Sequence, residues 1–185
     1  MNIESSRVPH ERPIRSLRRR TDDDLATCAR LLAEVHAHDG YPVNWPENPA
    51  AWLAGDPVLG SWVAELDGRP VGHVGLSRCG EGDAAPLLWS ARGGAGSGRT
   101  PDRTAVVGRL FVAPAARGHG IGALLIARAV EEARRRALHA VLDVVASDTA
   151  ATALYERLGW ELLDTVEQRW GPRQVVSVRC YAAPA

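Results

Sequence analysis

Residues 105–146 constrain the fold of this chain more tightly than any other stretch. Ala105 to Val112 has the composition of a strand, and Pro114 stops it. The turn Arg117-Gly118-His119-Gly120-Ile121-Gly122 follows, and Gly120 to Leu138 reads as a helix. Ile121, Leu124, Leu125, Ala129 and Ala133 form its buried stripe, with Arg128, Glu131, Glu132 and Arg135 on the wet face. Glu131–Arg135 and Glu132–Arg136 add i,i+4 pairs in the favourable order. Ala140 to Ala146 is nearly all apolar, as in a strand covered on both faces. Strand, glycine turn, helix and buried strand make one right-handed βαβ unit.

The turn itself predicts a ligand. Glycines let the backbone turn tightly and leave its N–H groups uncovered. The following helix aims its unpaired donors and the positive end of its dipole at the same point. The guest for such a cradle is a phosphate or pyrophosphate. Gly118, Gly120 and Ala123 satisfy a relaxed dinucleotide fingerprint, and Asp143 falls where a ribose-binding acid sits in that fold. Against it, residues 113–117 separate the strand from the first glycine, and too little chain remains for a six-stranded doubly wound sheet.

Around this unit the chain alternates strands and helices. Residues 1–12 are polar and read as a mobile tail, and Ile14 to Arg20 as a first strand. Thr21 and three aspartates cap a helix carrying Leu25, Cys28, Leu31, Leu32 and Val35 and ending near Gly40. A short helix is expected from Pro49 to Ala54. Asp67-Gly68 joins strands at Gly60 to Leu66 and Pro70 to Ser77 as a hairpin. Residues 79–103, rich in Gly, Arg and Ser, read as a long flexible loop, although Pro86 to Trp89 is apolar enough to fold back. Asp148 caps a helix running to Leu158, closed by Gly159. A last hairpin pairs Trp160 to Val166 with Val175 to Tyr181.

Composition narrows the partners. The 185 residues suit one domain, 45% hydrophobic and 24% charged. A formal net charge of zero argues against general affinity for nucleic acid or an anionic membrane. Cys28, Cys79 and Cys180 are odd in number and in no metal-ligand spacing, which favours a reducing compartment. With no signal-peptide pattern and no long apolar run, a cytoplasmic location is expected.

Two motifs together point to a family. Arg117-x-x-Gly120-x-Gly122 follows one strand. Asp148-x-x-Ala151-x-x-Leu154-Tyr155-x-x-x-Gly159-Trp160 follows the next. This resembles the GNAT superfamily of N-acetyltransferases, whose pattern is Q/R-x-x-G-x-G/A followed by N-x-x-A-x-x-L-Y-x-x-x-G-F. The resemblance covers residues 13–182 and implies a single α/β (α+β) domain, with a mixed sheet of six or seven strands around a βαβ CoA-binding core. It also implies acetyl-CoA as donor, a primary amine of a small molecule or protein as acceptor, and no metal. By it, Arg117, Gly118, His119, Gly120, Ile121 and Gly122 hold the pyrophosphate. Leu110, Phe111 and Val112 pair with the pantetheine arm, one of their N–H groups polarising the thioester.

Tyr155 occupies the position from which the family's tyrosine protonates the leaving thiolate. Asp143, inside an apolar strand, is expected to be protonated, paired or facing a polar cavity; with a raised pKa it becomes a candidate base. Asp148 stands where the family has Asn, placing a negative charge beside the CoA site or serving only as a helix cap. The strand before the glycine turn has no glutamate base. His36, Tyr41 and Trp45 crowd the expected acceptor wall, beside His38 and Asp39. The 79–103 loop either covers the site or joins a homodimer. A non-catalytic CoA-binding module is the competing class, with a dinucleotide-binding protein behind it.

Overall fold

The computed structural model describes residues 15–55, 58–94 and 96–185. The expected tail at 1–12 and Ile14 lie outside them. In chain order the elements are β1 (Arg15–Arg19), α1 (Leu25–Asp39), α2 (Pro49–Ala54), β2 (Val58–Leu66), β3 (Arg69–Arg78), α3 (Ala85–Arg92) and β4 (Thr104–Val112). There follow α4 (Ile121–Arg135), β5 (His139–Val145), α5 (Thr149–Arg157), β6 (Glu161–Gly171) and β7 (Gln174–Ala182). The strands form one seven-stranded sheet in the order β1-β2-β3-β4-β5-β7-β6.

Local chemistry accounts for the element ends. Asp67 and Gly68 both take left-handed dihedrals, with φ of 50° and 75°, which is what a two-residue hairpin turn between right-twisting strands requires. Ahead of α1, the Thr21 N–H donates to Asp24 Oδ2 at 2.7 Å while Arg18 forks onto the same carboxylate at 2.7 and 2.8 Å. Gly40, at φ 74°, closes α1.

The structure corrects four expectations. The loop over 79–103 contains a helix, α3, whose buried Ala85, Pro86 and Trp89 seal the face of the sheet over β5 and β7. Helix α4 stops at Arg135 rather than Leu138, because Ala137 turns left-handed at φ 56°. Its stripe also differs from the expected one. Ile126 and Glu132 are buried with Ile121, Leu125, Ala129 and Ala133, while Leu124 is half-buried. Glu132, read as wet, is 2% exposed and gathers Arg135 and Arg136 at 2.8 and 2.9 Å, with Arg128 at 3.3 Å. Burial works against its charge, and the bonds and charges of those arginines outweigh it, holding the carboxyl below its usual range.

The core lies on both faces of the sheet. Helix α4 packs on one face against Trp62, Ala64, Val74, Leu76 and Val107, in the same cluster as Tyr155 and Tyr181. On the other face α1 and α2 bury Cys28, Leu32, Val35 and Leu53 against Val63 and Phe111. The middle of the sheet is where it opens. Parallel strands β4 and β5 pair only at Thr104–His139, Ala105–Ala140 and Val106–Val141. Beyond Val106 both strands continue without pairing to each other, so a cleft opens between them. A bulge in β4 shifts its register with β3 from Gly75–Gly108 to His73–Phe111, and Arg109 sits in it at φ 50°.

Candidate active site

The glycine turn forms one end of this cleft. Gly118 and Gly120 have φ of 82° and 73°, a region open to glycine at no steric cost. The first bond of α4 runs from Leu124 N to Gly120 O at 3.1 Å, and no side chain caps the helix. The N–H groups of Ile121, Gly122 and Ala123 therefore have no intrahelical acceptor, and they point out of the helix end. Gly122 has a second task. A Cβ there would stand 3.0 Å from Leu154 Cδ2, so its bareness lets α4 approach α5.

Arg117 and His119 are engaged locally. Arg117 Nη1 donates to Asp39 Oδ1 at 3.2 Å, Nη2 donates to Asp39 Oδ2, and Nε reaches Val112 O at 3.3 Å. This clamp ties the turn to the end of α1. Arg117, with His38 adding to it, holds the Asp39 carboxyl down to about 2. The His119 side chain is exposed over the turn, its Nδ1 within 3.1 Å of Arg117 O.

Helix α5 supplies the opposite wall. Asp148 Oδ1 accepts from Ala151 N at 3.0 Å, the N-cap expected of it. Tyr155 is 6% exposed, with the Trp160 and Tyr181 rings at 5.8 and 5.9 Å. Burial first, then the charges of Tyr41 and Asp148, push its phenol far above the ordinary value, so it stays protonated. Among the described residues its hydroxyl makes no hydrogen bond.

Asp143 is paired, one of the expected outcomes for a carboxylate in that strand. Its Oδ2 accepts from Ala84 N at 2.7 Å and its Oδ1 from Ala85 N at 2.9 Å. The carboxylate thus satisfies the first free amides of α3 across 58 residues of sequence.

Of the residues expected at the acceptor side, His36 and Trp45 meet at 4.9 Å, and His36 Nδ1 donates to Pro42 O at 2.9 Å. Tyr41 stands edge-on to Trp52 at 6.5 Å. Burial raises its pKa, the charge of Arg109 opposes this, and the charge of Tyr41 adds in turn to the rise at Tyr155. Among the described residues no three His, Cys, Asp or Glu side chains gather as metal ligands.

Sequence reasoning missed Arg109, Trp52 and Asp83. The guanidinium of Arg109 lies over the Trp52 ring, 5.2 Å from its centroid, and Arg109 and Tyr41 influence each other's ionisation. Burial raises the Asp83 carboxyl, the Gly80 N–H bond opposes this, and nearby Asp143 adds to it. The visible signal for Arg109 was Gly108-Arg109 interrupting an otherwise apolar strand.

Residues 22–160 match the acetyltransferase (GNAT) family, and the chain belongs to that family. It is 30% identical over 157 residues to MJ1207, an uncharacterized N-acetyltransferase of Methanocaldococcus jannaschii, covering 82% of this chain and 63% of that protein. The chain thus spans less than two thirds of that relative's length. It is also 30% identical over 156 residues to YjgM, an uncharacterized N-acetyltransferase of Escherichia coli, covering 80% and 83% of the two chains. Among solved structures it shares its fold with yncA, a Salmonella typhimurium acetyltransferase solved with its cofactor acetyl-CoA. The TM-score is 0.65 at 19% identity, over 91% of this chain and 92% of that one. Among the described residues no helix is long and apolar enough to cross a membrane.

Proposed function

We propose that this chain transfers an acetyl group from acetyl-CoA to a primary amine by direct attack within one ternary complex. The observation that carries this is the uncapped start of α4, where free N–H groups follow two left-handed glycines just past the end of β4, the end at which its pairing with β5 has stopped. That end, residues 118–122, fits a pyrophosphate. The unpaired edge of β4 at Leu110, Phe111 and Val112 takes the pantetheine arm as an added strand, and an N–H there meets the thioester oxygen as it gains charge. Arg117 belongs first to the Asp39 clamp that steadies this turn, and His119 stands ready for a phosphate oxygen. Asp148 acts as the cap of α5 and thereby sets the rotation of Tyr155.

In the reaction the free amine attacks the carbonyl carbon, the C–S bond breaks, the Tyr155 hydroxyl gives its proton to the departing sulfur, and the proton shed by the acylated nitrogen passes through water to restore the phenol. The acceptor ammonium first loses its proton to water. Asp143, held by two amides, is assigned to positioning α3 rather than to this proton. His36, Tyr41 and Trp45 line the acceptor side. The free cysteines Cys28, Cys79 and Cys180 suit a cytoplasmic setting.

Thermal titration and a thiol-release assay test this. Acetyl-CoA at about 100 times its dissociation constant should raise Tm by about 5–10 °C, with NADH giving none. Tyr155→Phe should lower kcat about 10²- to 10⁴-fold with acetyl-CoA affinity retained. A shift with NADH alone, or none with acetyl-CoA, overturns the reading.

A further inference from the structure

On the α1 side of the sheet, buried polar groups stand without partners in one place. Six buried side-chain N and O atoms among the described residues lack a hydrogen bond. Five of them are Arg20 Nε and Nη1, Ser61 Oγ, His73 Nε2 and Arg109 Nε. Native interiors rarely leave such atoms unsatisfied, and a cluster of them calls for a missing partner.

Backbone geometry brings these groups together. Arg20 N donates to Ser61 O at 2.9 Å, and His73 Nδ1 donates to Arg109 O at 2.8 Å. Ser61 pairs with Gly75 and Gly75 with Gly108 across three adjacent strands. A Cβ at Gly75 would lie 3.9 Å from Arg109 Cβ and 4.0 Å from Ser61 Oγ. At Gly108 a Cβ would meet nothing within 4 Å, so there is free space beside Arg109.

The charge there is positive and unanswered. Neither Arg20 nor Arg109 makes an ion pair among the described residues, and the charge of Arg20 works against that of Arg109. Burial, with both arginines adding to it, holds the His73 ring neutral, pushed down to about 4. Asp24 is engaged by Arg18. Asp83 acts on Arg109 only from beyond ion-pair distance, and its own carboxylate takes the Gly80 N–H at 2.8 Å. Water can satisfy a guanidinium N–H, the Ser61 hydroxyl and the lone pair that His73 Nε2 presents while Nδ1 donates, but it leaves two half-buried like charges uncompensated. A planar carboxylate answers both needs, because a guanidinium fork matches its two oxygens.

We infer that Arg109, with Arg20 behind it, receives a carboxylate of the acceptor, so that the substrate is an amino acid or a similar small aminocarboxylate. This rests on the acetyl-transfer reading above. Arg109 is placed for the task because it sits in the bulge of β4, past the last β4–β5 pair at Val106 and immediately before the strand end at Leu110 to Val112 that borders the seam. A carboxylate on Arg109 directs the amine of the same molecule toward the seam where the thioester lies. Trp52, under the guanidinium, fixes the direction of the fork.

The test compares amino acids with their amides and their decarboxylated amines, by thiol release at saturating acetyl-CoA. In the wild type, kcat/KM for the acid should exceed that for the amide about 10- to 100-fold, mostly through KM. Arg109→Gln should collapse this ratio toward one, and Arg109→Lys should restore part of it. If the first variant fails to fold, Arg20→Gln serves the same comparison. Equal use of acid and amide by the wild type overturns the receptor and leaves acetyl transfer standing. Absence of any acetyl-CoA shift or thiol release overturns acetyl transfer instead. The receptor is then judged by thermal titration with glycine, glutamate and succinate. Stabilisation of the wild type that Arg109→Gln lacks supports it, and no stabilisation overturns it.

Discussion

At the scale of single residues, the sharpest consequence concerns Asp39 and Arg117. The carboxyl of Asp39 is held at about 2 in the folded chain, by Arg117 first and His38 after it. Unfolded, it returns to about 3.9. A depressed folded pKa stabilises fully above the unfolded value and loses that contribution as pH falls toward the folded one. Both side chains are about a third exposed, so the pair is worth about 1 kcal/mol or less. Asp39→Asn should therefore lower Tm by roughly 2–4 °C at pH 7, and its difference from wild type should shrink between about pH 4 and pH 2. Tm measured across that range checks it. Residue roles of this kind were legible wherever the signal is local. Asp148 caps the helix that its position before Thr149 announces, and Gly40 ends one. Glu132 was not legible, because its burial comes from arginines gathered around a helix face that sequence periodicity alone leaves ambiguous. Arg109 left only a break in an apolar run.

At the scale of elements, α3 depends on a residue far away in the chain. Asp143 takes the N–H groups of Ala84 and Ala85, and Asn offers only one oxygen acceptor in place of a charged pair. Asp143→Asn should cost roughly 1–3 kcal/mol of stability and speed amide exchange through residues 85–92. A kcat within a few-fold of wild type and an unmoved pH profile are expected; loss of the acidic limb of that profile would instead make Asp143 the base. This dependence explains why α3 was hidden. Its apolar core is a few residues in a Gly- and Arg-rich stretch, and its capping group lies on β5. By contrast α2, bounded by Asn48, Pro49 and Gly55, was expected around Pro49 to Ala54 and is found there, since its start and stop signals sit in its own sequence.

At the scale of the whole molecule, the sheet is two pieces, β1 to β4 and β5 to β7, joined at only three residue pairs. The order of elements and the mixed sheet could be read from two motifs and a hairpin signal. The splay could not, because it follows from a bulge at Arg109 and from pairing that stops at Val106. A ligand lying in that seam touches both pieces. Acetyl-CoA should therefore slow amide exchange in the end of β4 and in β5 and α5 together, and not at residues 118–122 alone. Protection confined to the glycine turn would count against the pantetheine arm lying along β4.

The contact between Gly122 and Leu154 carries a consequence for descent. The helix whose end offers the free amides and the helix that carries Tyr155 meet at a position with no side chain, 3.0 Å from where a Cβ would begin. A single methyl at 122 asks the tip of Leu154 to yield by a few tenths of an ångström, and larger bulk asks for more than a side-chain tip can give. Gly122→Ala should therefore keep most of the activity, while Gly122→Val should lose activity that Gly122→Val with Leu154→Ala partly regains. Homologues of this chain should hold position 122 to glycine or alanine for as long as a leucine stands at 154.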